Sequence, residues 1–188
     1  MPSKYIFTPI ETDRYYHIYN RGNNGENIFF KPENYSYFLN KYKEYLNNNV
    51  KTYAYCLLPN HFHFLIKIIN DDASIMFRRF FQSYALSINK QEERSDSLFS
   101  KIFKRVKITN DDYLKRLVFY IHHNPVKHSI FDNFKKYPFN SYQSIISNQL
   151  TSLERNEVID WFGSKKEFIE FHDYLHNENM INKYILED

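Results

Sequence analysis

The amino-acid sequence predicts an α+β fold, a small antiparallel sheet with helices on one face and a short, mostly helical C-terminal tail. Three observations predict it. Short stretches of alternating apolar and polar residues are interleaved with longer stretches whose apolar residues recur every three to four positions. Clusters of Asn, Gly, Pro and Asp separate these stretches. Between residues 15 and 128 they follow the order β-α-β-β-α-β-α, that of a ferredoxin-like sandwich.

The first strand is YYHIYN (15–20), ended by the turn signals of RGNNGEN. From Pro32, apolar residues at Tyr35, Phe38, Leu39, Tyr42 and Leu46 give a helical period, and the Asn run at 47–49 ends it. KTYAYCLL (51–58) reads as the second strand. Pro59-Asn60 breaks it before the third, HFHFLIKII (61–69). Asp71, Asp72 and Ser74 start an amphipathic helix that runs to a polar loop, QEERSDS. LFSKIFKRVKI (98–108) reads as a fourth strand, and Asn110-Asp111-Asp112 caps the helix YLKRLVFYIHHN. Pro125 is expected to close that helix, because a residue before proline avoids helical backbone angles. Residues 1–128 thus form one domain, and 129–188 an extension packed on or near it.

Composition narrows the classes of function. No stretch approaches the 18 apolar residues of a membrane span, and the start has no signal-peptide run, so a cytoplasmic protein without a membrane partner is expected. The single cysteine, Cys56, excludes an internal disulfide and a cysteine-based zinc site within one chain. Net charge is +3, but residues 1–128 hold 19 Lys/Arg against 12 Asp/Glu, while 129–188 hold 6 against 10. A basic body suits a polyanion. With 17 Tyr and 18 Phe, some aromatic rings are expected at the surface, where they can stack on unpaired bases; an AT-rich genome would also supply them.

The chemistry-bearing residues lie on the third strand and the last helix. Alternation puts His61, His63, Leu65 and Lys67 on one strand face and Phe62, Phe64, Ile66 and Ile68 on the other, the core face. The paired imidazoles either hold one divalent ion, with a third protein ligand, or make ordinary hydrogen bonds. On the helix, Tyr120 and Asn124 are four apart and share a face beside the apolar stripe Leu114, Leu117, Val118 and Ile121. A tyrosine there can pack or reach into a cleft. Tyr84, in FFQSYALSIN, is a rival nucleophile, but Ile88 stands where a ligating side chain one turn later would be. His122 and His123 are accessory candidates, read as a solvent-facing helix end.

YHIYNRGNN (16–24), YAYCLLPNHFHFLI (53–66), LFSKIFKRVKI (98–108) and YIHHNPVKH (120–128), with a weaker PFNSYQS (138–144), resemble the single-tyrosine HUH transposases. The likeness is to those associated with repetitive extragenic palindromes. It implies that His61, His63 and Asn124 bind a divalent cation, Mg²⁺ or Mn²⁺, and that Tyr120 attacks single-stranded or hairpin DNA. The product would be a 5′-phosphotyrosine and a free 3′-hydroxyl, able to rejoin strands. Arg21, Lys101, Lys104, Arg105 and Lys107 are candidate DNA contacts, the last cluster because alternation sets Lys101, Phe103, Arg105 and Lys107 on one face. Some such enzymes form homodimers through their sheets and others act as monomers. Two other readings stand beside this one: a non-catalytic nucleic-acid-binding module, and a metal-dependent phosphodiesterase that uses water in place of Tyr120. A histidine-triad hydrolase would need a histidine where Leu65 stands.

Overall fold

The computed structural model describes residues 9–100 and 102–177. Its strands are β1 (Tyr15–Arg21), β2 (Val50–Leu58), β3 (His61–Ile68) and β4 (Lys104–Ile108). They form one antiparallel sheet in the order β2-β3-β1-β4. Helices α1 (Pro32–Leu46) and α2 (Ala73–Gln91) precede β4, and α3 (Asp111–Lys127) follows it. The tail contributes α4 (Tyr142–Ile146), α5 (Arg155–Phe162) and α6 (Lys165–Asn177).

Local chemistry explains the boundaries. Pro32 occupies the first turn of α1, where its missing N–H costs nothing. The Asn34 side chain accepts from the backbone N–H groups of Phe30 and Lys31, closing the approach to that helix. Asn110 caps α3 by accepting from Asp112 N at 2.8 Å. The α3 helix does not stop at Pro125; it continues to Lys127. A proline so near the end removes only one main-chain bond, and packing of the helix outweighs that loss.

The sheet is covered on both faces rather than one. As expected, α1 and α2 pack against Tyr16, Ile18, Phe62, Phe64, Ile66 and Ile68, all essentially inaccessible. The opposite face carries the histidines but also Ala54, Cys56, Leu58 and Leu65, and these apolar residues need cover. Helix α3 supplies it through Leu114, Leu117, Val118 and Ile121, and α5 and α6 extend the same core with Val158, Phe162 and Phe168. At about 1.5–3 kcal/mol for each fully buried large side chain, neither layer is dispensable.

Among the described residues Phe131 and Tyr174 are exposed, as expected of some aromatics, while Phe38, Phe62, Phe64, Phe77, Phe80 and Tyr84 are fully buried in the layer beneath α1 and α2. The fourth strand is shorter than residues 98–108. Leu98, Phe99 and Phe103 turn into the α1/α2 core, and only a single bridge, Gly22 to Phe99, ties that segment to β1.

The tail is bonded to the sheet. Tyr53 donates to Glu157 at 2.9 Å, Lys51 pairs with Glu157 at 2.9 Å, and Trp161 stacks on Tyr53. Leu57 N and Ser141 N bond to Phe139 O and Tyr55 O along the outer edge of β2.

Candidate active site

Cross-strand register sets the two histidines. His63 lies between Cys56 on β2 and Tyr19 on β1, and His61 lies between Leu58 and Arg21. Helix α3 crosses above them. The Tyr120 ring stands 5.5 Å from that of His63, and Asn124, one turn on, is wholly buried. The four residues singled out from sequence, His61, His63, Tyr120 and Asn124, therefore belong to one layer between β3 and α3. Lys127 adds a cation, its Nζ 4.9 Å from the centre of the Tyr120 ring. The His128 ring meets that of His61 edge-on at 4.6 Å.

Three buried atoms here carry no hydrogen bond: Nε2 of His61, Nε2 of His63 and Oδ1 of Asn124. Each of these side chains is anchored through its other polar atom. His61 Nδ1 is 2.7 Å from Asn60 Oδ1, and since an amide oxygen only accepts, His61 donates and leaves Nε2 as a lone pair. His63 Nδ1 is 2.9 Å from Nε2 of His17 on β1. Asn124 Nδ2 donates to Tyr120 O at 2.9 Å, which leaves its oxygen for another purpose. Two imidazole nitrogens and one amide oxygen, each held from behind, form a donor set that fits a divalent cation. Among the described residues no group of three His, Cys, Asp or Glu could hold a metal.

Electrostatics favour a neutral His63. Burial, reinforced by His17, His61, His128 and Lys127, holds His63 well below the usual imidazole range, so it is unprotonated at neutral pH. Burial pushes the Cys56 thiol well up, so its sulfur beside His63 stays protonated.

The other sequence-derived candidates fall in different places. Tyr84 is buried beneath the opposite sheet face, its hydroxyl donating to Ile28 O at 2.7 Å. His122 and His123 are not a solvent-facing helix end; they are buried and face the tail. His122 bonds to His172 at 3.0 Å and to Ser141 at 2.8 Å, and His123 bonds to His176 at 2.8 Å. Of the basic residues, Arg21 and Lys104 lie on the histidine face, with Lys104 Nζ 5.5 Å over the Tyr19 ring. Arg105 and Lys107 alternate to the other face, where Arg105 lies over Phe103 and Lys107 pairs with Glu11. Lys101 is outside the described residues.

Sequence reasoning passed over Asn60 and His17. Both had a signal: Asn60 immediately precedes the histidine strand, and alternation from Tyr15 puts His17 and Tyr19 on the face that meets His63.

No family model matches the chain. A Haemophilus influenzae protein named as a REP-associated tyrosine transposase is 24% identical over 111 residues, 53% of this chain. The match spans 63% of that relative's length. A solved structure of a REP-associated tyrosine transposase bound to a REP hairpin aligns with a TM-score of 0.62 and 18% identity. It covers 76% of this chain and 84% of that one, and the likeness is one of fold.

Proposed function

We propose that the chain is a metal-dependent DNA transposase that cleaves and rejoins single-stranded, hairpin-containing DNA through Tyr120. The observation that carries this reading is the meeting of Tyr120 with His63, their rings 5.5 Å apart, beside three buried and unbonded donor atoms. The likeness to a REP-associated tyrosine transposase supports it.

His61 Nε2, His63 Nε2 and Asn124 Oδ1 would hold the cation, Mg²⁺ or Mn²⁺. When bound, it would supply positive charge to the scissile phosphate. Tyr120 Oη attacks phosphorus, the bond to the 3′-oxygen breaks, and a 5′-phosphotyrosine and a free 3′-hydroxyl result. The phosphodiester is conserved as a covalent link, so attack by a 3′-hydroxyl in the reverse sense rejoins DNA. Lys127, over the Tyr120 ring, offsets negative charge that gathers on the phenol oxygen and phosphate. Arg21 and Lys104 stand on the same face of the sheet and would contact the DNA backbone, positioning it without reading its sequence.

The test is a denaturing gel after incubation with hairpin-containing single-stranded DNA and Mg²⁺ or Mn²⁺. A covalent adduct is expected, lost in Tyr120→Phe and retained in Tyr84→Phe. Cleavage without adduct that survives Tyr120→Phe would instead assign hydrolysis by a phosphodiesterase. Binding without cleavage would assign a recognition module.

A further inference from the structure

We propose that His17 is a positioning residue that sets the tautomer of His63 and so makes it a metal ligand. The inference rests on the metal reading above, and concerns a residue outside the proposed ligand set.

His17 is buried, at 6% exposure, on the central strand β1. Its Nε2 lies 2.9 Å from His63 Nδ1, and the two rings are nearly parallel, 5.1 Å apart. A contact between two imidazole nitrogens at that distance needs one proton between them, and the proton has two homes. If His17 Nε2 carries it, His17 donates to His63 Nδ1. Neutral His63 then has its own proton on Nε2, and the atom that faces the site cannot ligate. If His63 Nδ1 carries it, His63 donates to His17, and His63 Nε2 offers a lone pair. Cation binding therefore requires His17 to act as acceptor, with its proton on Nδ1.

The arrangement is asymmetric between the two ligands. His61 is fixed by Asn60 Oδ1, an obligate acceptor, and has one tautomer available. His63 is backed by a ring that can donate or accept, so its competence depends on which form His17 takes. A carboxylate at position 17 would force the same tautomer but would bury a negative charge; the imidazole does so while neutral. His17 also stacks on Tyr19 at 4.7 Å and meets the Tyr120 ring edge-on at 6.0 Å, which fixes its plane.

The test is Mn²⁺ titration of the full chain by calorimetry without DNA, comparing wild type, His17→Phe, His17→Gln and His63→Ala. Phenylalanine keeps the ring and removes the acceptor; glutamine places an amide oxygen near the former Nε2. His17→Phe is expected to bind Mn²⁺ roughly 10–100-fold more weakly, with His17→Gln restored to within about threefold of wild type. Equal affinity in wild type and His17→Phe, or Gln as weak as Phe, overturns the role of His17. Wild-type affinity in His63→Ala overturns the metal reading itself. Should His17→Phe fail to fold, ¹⁵N correlation spectra of wild type with Mg²⁺ decide: a proton on His63 Nδ1 supports the proposal, and one on Nε2 overturns it.

Discussion

His122 on α3 and His172 on α6, fifty residues apart, share a 3.0 Å hydrogen bond in the interior. The direction of every proton around them follows from one acceptor. His172 Nδ1 lies 2.8 Å from Phe168 O, a carbonyl, so His172 donates there and accepts at Nε2 from His122 Nδ1. Neutral His122 then accepts at Nε2 from Ser141, whose oxygen accepts from Tyr55 N. With both rings neutral, as their burial requires, every contact in the relay pairs one proton with one lone pair.

Acid should therefore loosen the fold. Burial holds His122 well below its ordinary range and His172 down to about 3; Asp173, Lys135 and His123 face the latter. Both folded-state values are depressed below an unfolded value of about 6.5. Below that pH the unfolded chain takes up protons that the folded chain cannot, so stability is full above it and is lost as pH falls toward the folded values. For His172 the loss between pH 6.5 and 5 is about 1.6 kcal/mol, and His122 shifts stability in the same direction. Urea midpoints at pH 7 and 5 measure it; equal midpoints would refute neutral burial.

Gly22 has no room for a side chain. A Cβ there would sit 1.9 Å from Glu26 O, a backbone atom that cannot swing aside. Gly22 N also bonds to Asn60 O at 2.7 Å, in the turn that carries His61. Gly22→Ala should cost about 1–3 kcal/mol. A urea midpoint equivalent to less than about 0.5 kcal/mol would show that the chain relaxes freely at this point.

Lys127→Met should slow adduct formation with hairpin DNA by roughly 5–30-fold, the rate equivalent of about 1–2 kcal/mol for a cation over an aromatic ring. Lys127→Arg should recover most of the rate. Single-turnover measurements with saturating DNA isolate the effect from binding, and an unchanged rate in Lys127→Met would remove the cation from the chemistry.

Tyr84→Phe should act on stability alone. It strands the Ile28 carbonyl in the interior, at a cost of about 1–3 kcal/mol. Adduct yield per folded molecule should equal wild type. A covalent adduct abolished by Tyr84→Phe with the fold intact would make Tyr84 the nucleophile.

Much of this was legible in residue periodicity. Alternation from His61 separated the aromatic core face from the histidine face, and the four-residue spacing of Tyr120 and Asn124 put them together on α3. What periodicity could not show was that the histidine face is half apolar and needs its own cover. Ala54 and Cys56 sit beyond a bulge between Thr52 and Ala54, which shifts the strand's facing residues. Nor could local reading find partners for His122 and His123, because His172 and His176 are some fifty residues away. Pro125 misled for the opposite reason: its local rule is sound, but packing of α3 overrides it.

The bonds from Phe139 and Ser141 to the outer side of β2 leave the sheet with unequal margins. One margin is already occupied by the chain's own tail. The other, β4, pairs with β1 on its inner side and with no described strand on its outer side. Self-templated growth of this sheet, whether into an ordered pair or a fibril, would have to begin at β4. There Lys104 and Arg105 set adjacent positive charges, with Lys107 paired to Glu11, so two such strands brought edge to edge meet like charge at the centre of the seam.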